Sequence, residues 1–379
     1  MTYELIIIGG GVWGTSAALR ATQRGVSSVL LVEANHGVAQ ESSAKAGGIV
    51  TDLVWNAEDV DWVQRSRTLF AQARTFSRDP SILQRYGMLT LATPERTELL
   101  QRRANALVDR EIPAALWDYR QIVSAYPDLD RVPRDVIGLW MPNDCHVNPT
   151  AYSEAVLHQA RDRGLQVLLG ARVTALREEV DGVTVFAGTE GLHARRVLIT
   201  AGTWTRKLVQ TCGVDIPLAP YRVQLSSLSF PDGYHLPIVW ELRTDVYLVP
   251  DGPHNLLAGD GTRLIEHDPD DYETQGDDEF VSSIADRVVN LSSRGDRAGL
   301  RAAWAGLCGS TPDRRPLIGP VTDRICIATG DQGFGIMRGP ALGELAVDVV
   351  MGEEEVTQLN PLRYPPTDFP IRPGFTLEE

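Results

Sequence analysis

The chain has 379 residues, 43% of them hydrophobic and 7% aromatic, the composition of an ordinary globular protein long enough for two or three domain-sized units. Lys and Arg number 36 against 50 Asp and Glu, a formal charge of −14, so neither nucleic acid nor insertion at an anionic membrane surface is expected. Cys145, Cys212, Cys308 and Cys326 stand far apart without CxxC spacing, so no disulfide framework and no metal site is expected, and a reducing cytoplasm is the plain reading.

Leu5 to Ile8 is a short continuous apolar run of the kind buried on both faces of a parallel sheet, with no basic segment before it to suggest a signal peptide. A turn from Gly9 to Gly14 follows, then a helix over 15–24 that stops at Gly25, then a second buried strand over 29–32. Helical spacing marks 57–77, strand character 87–93, and a charged helix 94–109. Asn148-Pro149 reads as an N-cap with proline in the first helical position, opening a helix that ends at Gly164 before a strand over 165–169. A hairpin layer is predicted over 173–176 and 183–186, and a buried strand over 196–200. From 217 to 257 the pattern alternates and turns aromatic, as in an antiparallel sheet with one working face. An acidic loop and helix occupy 268–296, a buried strand 326–328, and a last helix 339–351, ahead of a proline-rich tail. No run of about 18 apolar residues suggests a membrane span.

This order predicts an α/β fold: a Rossmann-type nucleotide domain over 1–86, 144–216 and 309–360, and a second α+β domain on a mixed or antiparallel sheet over 87–143 and 217–308. Residues 361–379 form a tail.

Gly9-Gly10-Gly11-Val12-Trp13-Gly14 matches GxGxxG between a buried strand and a helix. Gly9 permits the tight turn, Gly11 the approach of a pyrophosphate, and Gly14 the contact of helix with strand. Glu33 arrives 19 residues after Gly14 at the end of the second strand, placed to bond ribose hydroxyls, with Ala34 beside it. A glycine-rich turn of no consequence is the competing reading, and the strand–helix–carboxylate context argues against it. The second Gly/Ser loop, Ser42-Ser43-Ala44-Lys45-Ala46-Gly47-Gly48, suits a flavin ring rather than a nicotinamide, so FAD is the expected cofactor.

With these segments go Asp144-Cys145-His146-Val147, the 197–204 stretch, Tyr221-Arg222-Val223-Gln224, Trp304-Ala305-Gly306-Leu307, Thr311-Pro312-Asp313, Pro316-Leu317-Ile318-Gly319 and the glycine-rich 330–343 segment. In order and spacing they resemble the D-amino-acid oxidase-like superfamily of flavoenzymes over nearly the whole chain. The resemblance implies FAD contacts from Val173, Ala201, Gly202, Trp204, Gly306, Gly333, Phe334, Gly335 and Ile336, besides the two loops. It also implies a last helix aimed at the flavin, and oxidation of the carbon–nitrogen bond of a small amino-acid-like substrate with O2 or another acceptor. A non-covalent flavin is implied because Gly306 stands where covalently linked relatives carry cysteine, although Cys308 lies two residues on. The chain departs from the family pattern with Cys145 in a glycine position, Phe334 in a histidine position and Met337 in the position of a lysine.

Arg222 and Tyr247, on strands of the second domain, are the candidates for holding a substrate carboxylate; a structural ion pair and sheet-edge packing are the competing readings. Trp240 is a candidate wall, Arg338 a reserve anchor, and His146 reads as structural. Lys45 and Lys207 are the only lysines, and Lys45 is a candidate cation beside the flavin, against an exposed lysine in a polar loop. Open alternatives are an oxidase, a dehydrogenase passing electrons to a quinone or protein, and a non-catalytic flavin-binding subunit. Substrate identity and oligomeric state are not legible.

Overall fold

The computed structural model describes residues 2–54, 57–188, 190–261 and 263–371. The first strand, Thr2–Ile8, lies between Val29–Val32 and Glu190–Ile199 and runs parallel to both, with Ile6 opposite Leu30 on one side and Val197 on the other. Leu5 and Ile7 pack into one core cluster and Ile6 and Ile8 into another, which is why the run is apolar without alternation. The sheet extends to Gln166–Leu168 at one edge and to the antiparallel strands Val183–Ala187 and Val173–Glu178 at the other. Glu190–Ile199 outlasts that antiparallel pairing, and its end pairs with Ile325–Thr329, which pairs in turn with Leu317–Pro320.

The second sheet has nine strands in mixed order. Ala219–Ser229 pairs antiparallel with Gly299–Ser310 along nearly its whole length, and also with Asn255–Gly259 and Leu264–Ile265. Val246–Pro250 and Ile238–Glu241 follow, and the latter joins Met88–Ala92 in a parallel pairing. Ile137–Met141 and Ala115–Asp118 complete the edge, and Asp118 and Gln121 close a capping box on a short helix, Tyr119–Ala125. The α/β class with a second, mixed sheet is thus the architecture found.

Asn148 caps Pro149–Asp162 as expected, accepting from the Ala151 amide at 3.0 Å. The last helix is Gly335–Val350, starting four residues before the expected 339. It packs against both Val12–Gln23 and Ala57–Ser77. A short 3₁₀ turn, Thr357–Leu359, precedes the expected tail, which is irregular chain to 371; residues 372–379 lie outside the described residues.

Candidate active site

A cavity of about 620 Å³ runs between the two sheets. Its first end is built at the tip of Thr2–Ile8. Gly9 turns with φ +105°, where a side chain would stand 2.7 Å from the Thr200 carbonyl oxygen. A Cβ on Gly14 would lie 1.8 Å from the Gly9 carbonyl oxygen, so Gly14 serves helix–strand contact and does not line the cavity. Gly11, Val12 and Trp13 do line it and open Val12–Gln23, whose first N–H groups have no partner within the helix. Ser43 Oγ takes one of them, the Val12 amide, at 3.3 Å. Glu33 lines the same end, its carboxylate accepting from the Gly10 amide at 2.6 Å and the Asn35 amide at 2.8 Å. Ala34, Val173, Ala201, Gly202 and Trp204 stand with it.

Farther along come Ser42, Ser43, Lys45, Ala46, Gly47 and Gly48, and then the start of the last helix. The Trp13 indole N–H donates to the Gly335 carbonyl at 2.8 Å. Gly339 and Gly343 let the two helices touch: a Cβ on either would fall 2.7 Å or less from an atom of Trp13. Two helix N-termini are therefore locked side by side at one cavity. Gly333, Phe334, Gly335, Ile336 and Met337 line this end, and Gly306 faces it in close contact, where an added Cβ would meet the Lys45 Cβ at 3.0 Å.

The opposite wall is Tyr221, Val223, Leu225, Trp240 and Tyr247, with Met88. The Tyr247 ring faces Gly47, and Gly259 leaves space for its hydroxyl. Burial pushes both tyrosine phenols well above their ordinary value. Arg222, expected here, is absent from the wall: it is 6% exposed, and its guanidinium bonds Asp277 at 3.0–3.3 Å and the Glu273 and Gln275 carbonyls at 3.3 Å, with Glu266 also paired at 3.5 Å. Arg338 is fully buried, paired with Asp59 and donating to the Asp331 carbonyl, so it holds no substrate either.

The segment 266–277 runs as a strap beside the cavity, which it lines through Asp270. Arg222 ties both its ends, Lys207 bonds Asp268 and Asp270, and Arg172 and the Trp204 indole bond Asp270 as well. Burial opposes it, but those bonds hold the Asp270 carboxyl well below the usual range. Lys45 lines the cavity, yet its ammonium bonds Glu41 at 2.9 Å and the Tyr272 hydroxyl at 2.7 Å. It is a clasp on the strap rather than a free cation. Sequence reasoning passed over Asp245 and Arg263, also on the cavity wall; their position in the turns of the aromatic hairpins was the available signal.

The family model described as FAD dependent oxidoreductase (DAO) matches residues 4–349. The chain belongs to that family. N-methyl-L-tryptophan oxidase of Citrobacter koseri is 28% identical to it, over 96% of this chain and 98% of that protein. The same enzyme of Escherichia coli O9:H4 is 25% identical over 96% and 99%. Among solved structures, glycine oxidase from Geobacillus kaustophilus has a TM-score of 0.86 at 21% identity, covering 96% of this chain and 99% of that one. L-proline dehydrogenase from P. horikoshii also gives 0.86 at 21%, covering 96% and 97%.

The DAO departures have local explanations. Cys145 lies in the extended Cys145–His146 strand, outside left-handed φ, so no glycine is required there. His146 is buried against Gly48, and burial pushes its imidazole down. Phe334 caps the last helix with the Arg338 guanidinium 5.3 Å from its ring centre, and Met337 is buried in the first turn.

Proposed function

We propose that this chain uses non-covalently bound FAD to oxidise the carbon–nitrogen bond of a small amino acid or N-substituted amino acid. The product is an imine that water hydrolyses, and dioxygen takes the electrons and leaves as hydrogen peroxide. Bound FAD would supply the hydride acceptor, N5 of its ring. The residues fit the group. The Gly9–Gly14 turn and the helix behind it offer N–H donors and positive dipole to a pyrophosphate, and Glu33 offers carboxylate oxygens to a ribose. Ser43, Ala46, Gly47 and Gly48 would flank the ring, and the N-terminus at Gly335 to Met337 would receive the negative charge of its reduced pyrimidine end.

The observation that carries the reading is the single cavity joining both helix N-termini to an aromatic wall. Tyr221, Tyr247, Trp240 and Leu225 would exclude water and orient the reacting carbon, and orientation is the main demand of a hydride transfer. Similarity to N-methyl-L-tryptophan oxidases along the full length supports an amino acid with a substituted nitrogen. The test is an anaerobic flavin-bleaching screen with N-methyl-L-tryptophan, sarcosine, proline, glycine and both enantiomers of the common amino acids. Bleaching by at least one is expected, with peroxide on admission of air. Bleaching without peroxide would replace dioxygen by a quinone or protein acceptor, and no bleaching at all would refute the amino-acid reading.

A further inference from the structure

Among the described residues, the cations lining the cavity are Lys45, Arg172, Lys207 and Arg263. The first three are committed to Glu41, Asp268, Asp270 and Tyr272. Arg263 makes no hydrogen bond or ion pair with any described residue. It stands between Asn255–Gly259 and Leu264–Ile265, in a turn adjoining the one that joins Ile238–Glu241 to Val246–Pro250. That second turn carries Asp245, also on the cavity wall.

Asp245 is fixed in place, its Oδ1 accepting from the Trp240 indole at 3.0 Å. Its Oδ2 lies 3.2 Å from the point where a Cβ on Gly261 would stand, and Arg263 Nη2 lies 3.8 Å from that same point. The opposite charges thus flank one small space, farther apart than an ion pair but no farther than the sum of those two distances. The positive charge also reaches Tyr221, Tyr247 and Cys308, where it opposes the upward push of burial, so the guanidinium acts at the aromatic end of the cavity. A cation and an anion separated by a gap in a half-closed cavity match the two charged groups an α-amino acid carries on one carbon.

We propose that Arg263 holds the carboxylate of the amino-acid substrate and Asp245 its amine, so that the pair selects α-amino acids over plain amines and plain carboxylic acids. This rests on the amino-acid reading above and names the residues that would enforce it. Arg222, one strand position from the Tyr221 wall, serves the strap instead.

The test is flavin-absorbance titration of the FAD-loaded protein with three probes: N-methyl-L-tryptophan under anaerobic conditions, indole-3-propionate, which lacks the amine, and N-methyltryptamine, which lacks the carboxylate. Arg263→Ala should weaken the first two by roughly 10- to 100-fold and leave the third unchanged. Arg263→Lys should recover part of the loss, lacking the planar fork. Asp245→Asn, a residue that tolerates the φ of +59° there, should weaken N-methyl-L-tryptophan and N-methyltryptamine but not indole-3-propionate. FAD content and melting temperature at wild-type values show that each variant is folded. Unchanged affinity of folded Arg263→Ala for both carboxylates overturns the proposal, as does equal loss for all three probes. If no amino acid bleaches the wild-type flavin, the oxidase reading falls by itself, and the indole-3-propionate titration still decides Arg263.

Discussion

Gly11 and Gly14, three residues apart, should fail in opposite ways when given a methyl group. At Gly14 the new carbon would lie 1.8 Å from the Gly9 carbonyl oxygen and 2.6 Å from Thr200 Oγ1. The Gly9 backbone cannot retreat, because its own amide is bonded to Val32 at 2.9 Å and Thr200 closes its other side. Overpacking costs typically about 1–3 kcal/mol, and a collision with fixed backbone belongs at or above the top of that range. Against a total stability of roughly 5–15 kcal/mol, Gly14→Ala should lower the melting temperature of apoprotein markedly. At Gly11 the nearest atom is a rotatable hydroxyl, Ser43 Oγ, at 3.3 Å, and the φ and ψ of −70° and −177° suit alanine. Gly11→Ala should therefore cost the fold less than about 1 kcal/mol. Its methyl nevertheless enters the space before the helix N-terminus, and FAD affinity should fall by about 1–3 kcal/mol, roughly 5- to 150-fold. Urea melts of apoprotein and FAD fluorescence titrations separate the two effects. A wild-type melt for Gly14→Ala, or wild-type FAD affinity for Gly11→Ala, would refute the reasoning.

Asp144 is fully buried beside Asp52, and burial and that neighbour push its carboxyl up to about 7 although Arg67 pulls it down. Because the folded value is raised, stability is fully present below the ordinary carboxylate range and lost as pH rises from about 4 through about 7. Asp144→Asn should abolish that decline, so its melting temperatures at pH 5.5 and 8 should converge; a slope as steep as wild type's would exclude Asp144 as the source. Arg222→Ala, which strips two carboxylates and two carbonyls of a buried cation, should destabilise by about 1.5–3 kcal/mol, and a wild-type urea midpoint would contradict it. Cys308, a thiol that burial beside Asp331 pushes well up, should stay unreactive toward a flavin, leaving acid-precipitated protein white and the supernatant yellow. A yellow pellet that disappears in Cys308→Ser would show a covalent link.

The glycine turn and helix at one end of the cavity were legible because their chemistry is local. A buried strand, three glycines and a carboxylate at fixed spacing specify one turn and one helix, and side chains elsewhere hardly alter that. The last helix was legible only in part. The glycine-rich stretch before 339 gave no helical pattern, yet the helix begins at Gly335, whose carbonyl the Trp13 indole holds at 2.8 Å. Gly299–Ser310, rich in alanine and glycine, has little strand propensity and owes its conformation to Ala219–Ser229. Tyr247 and Trp240 reach the cavity as expected, but Arg222 failed on phase. Tyr221, Val223, Gln224 and Leu225 reach the cavity while Arg222 turns to the strap, and where each side chain of a strand points cannot be assigned until the neighbouring chain is placed. Asp245 and Arg263 meet only through the pairing of separate hairpins, which no local pattern encodes.

The strap has a consequence for anyone handling the protein. Lys45 and Lys207 are its only lysines, and both ammonium groups are fastened to the segment that borders the cavity. Amine-directed dyes, cross-linkers and activated resins therefore find no innocuous lysine on this molecule. Side-chain acylation at Lys207 would unfasten Asp268 and leave Asp270 to Arg172 and Trp204, and at Lys45 it would release Tyr272, so a surface-coupling reaction harmless to most enzymes here removes ties of that segment.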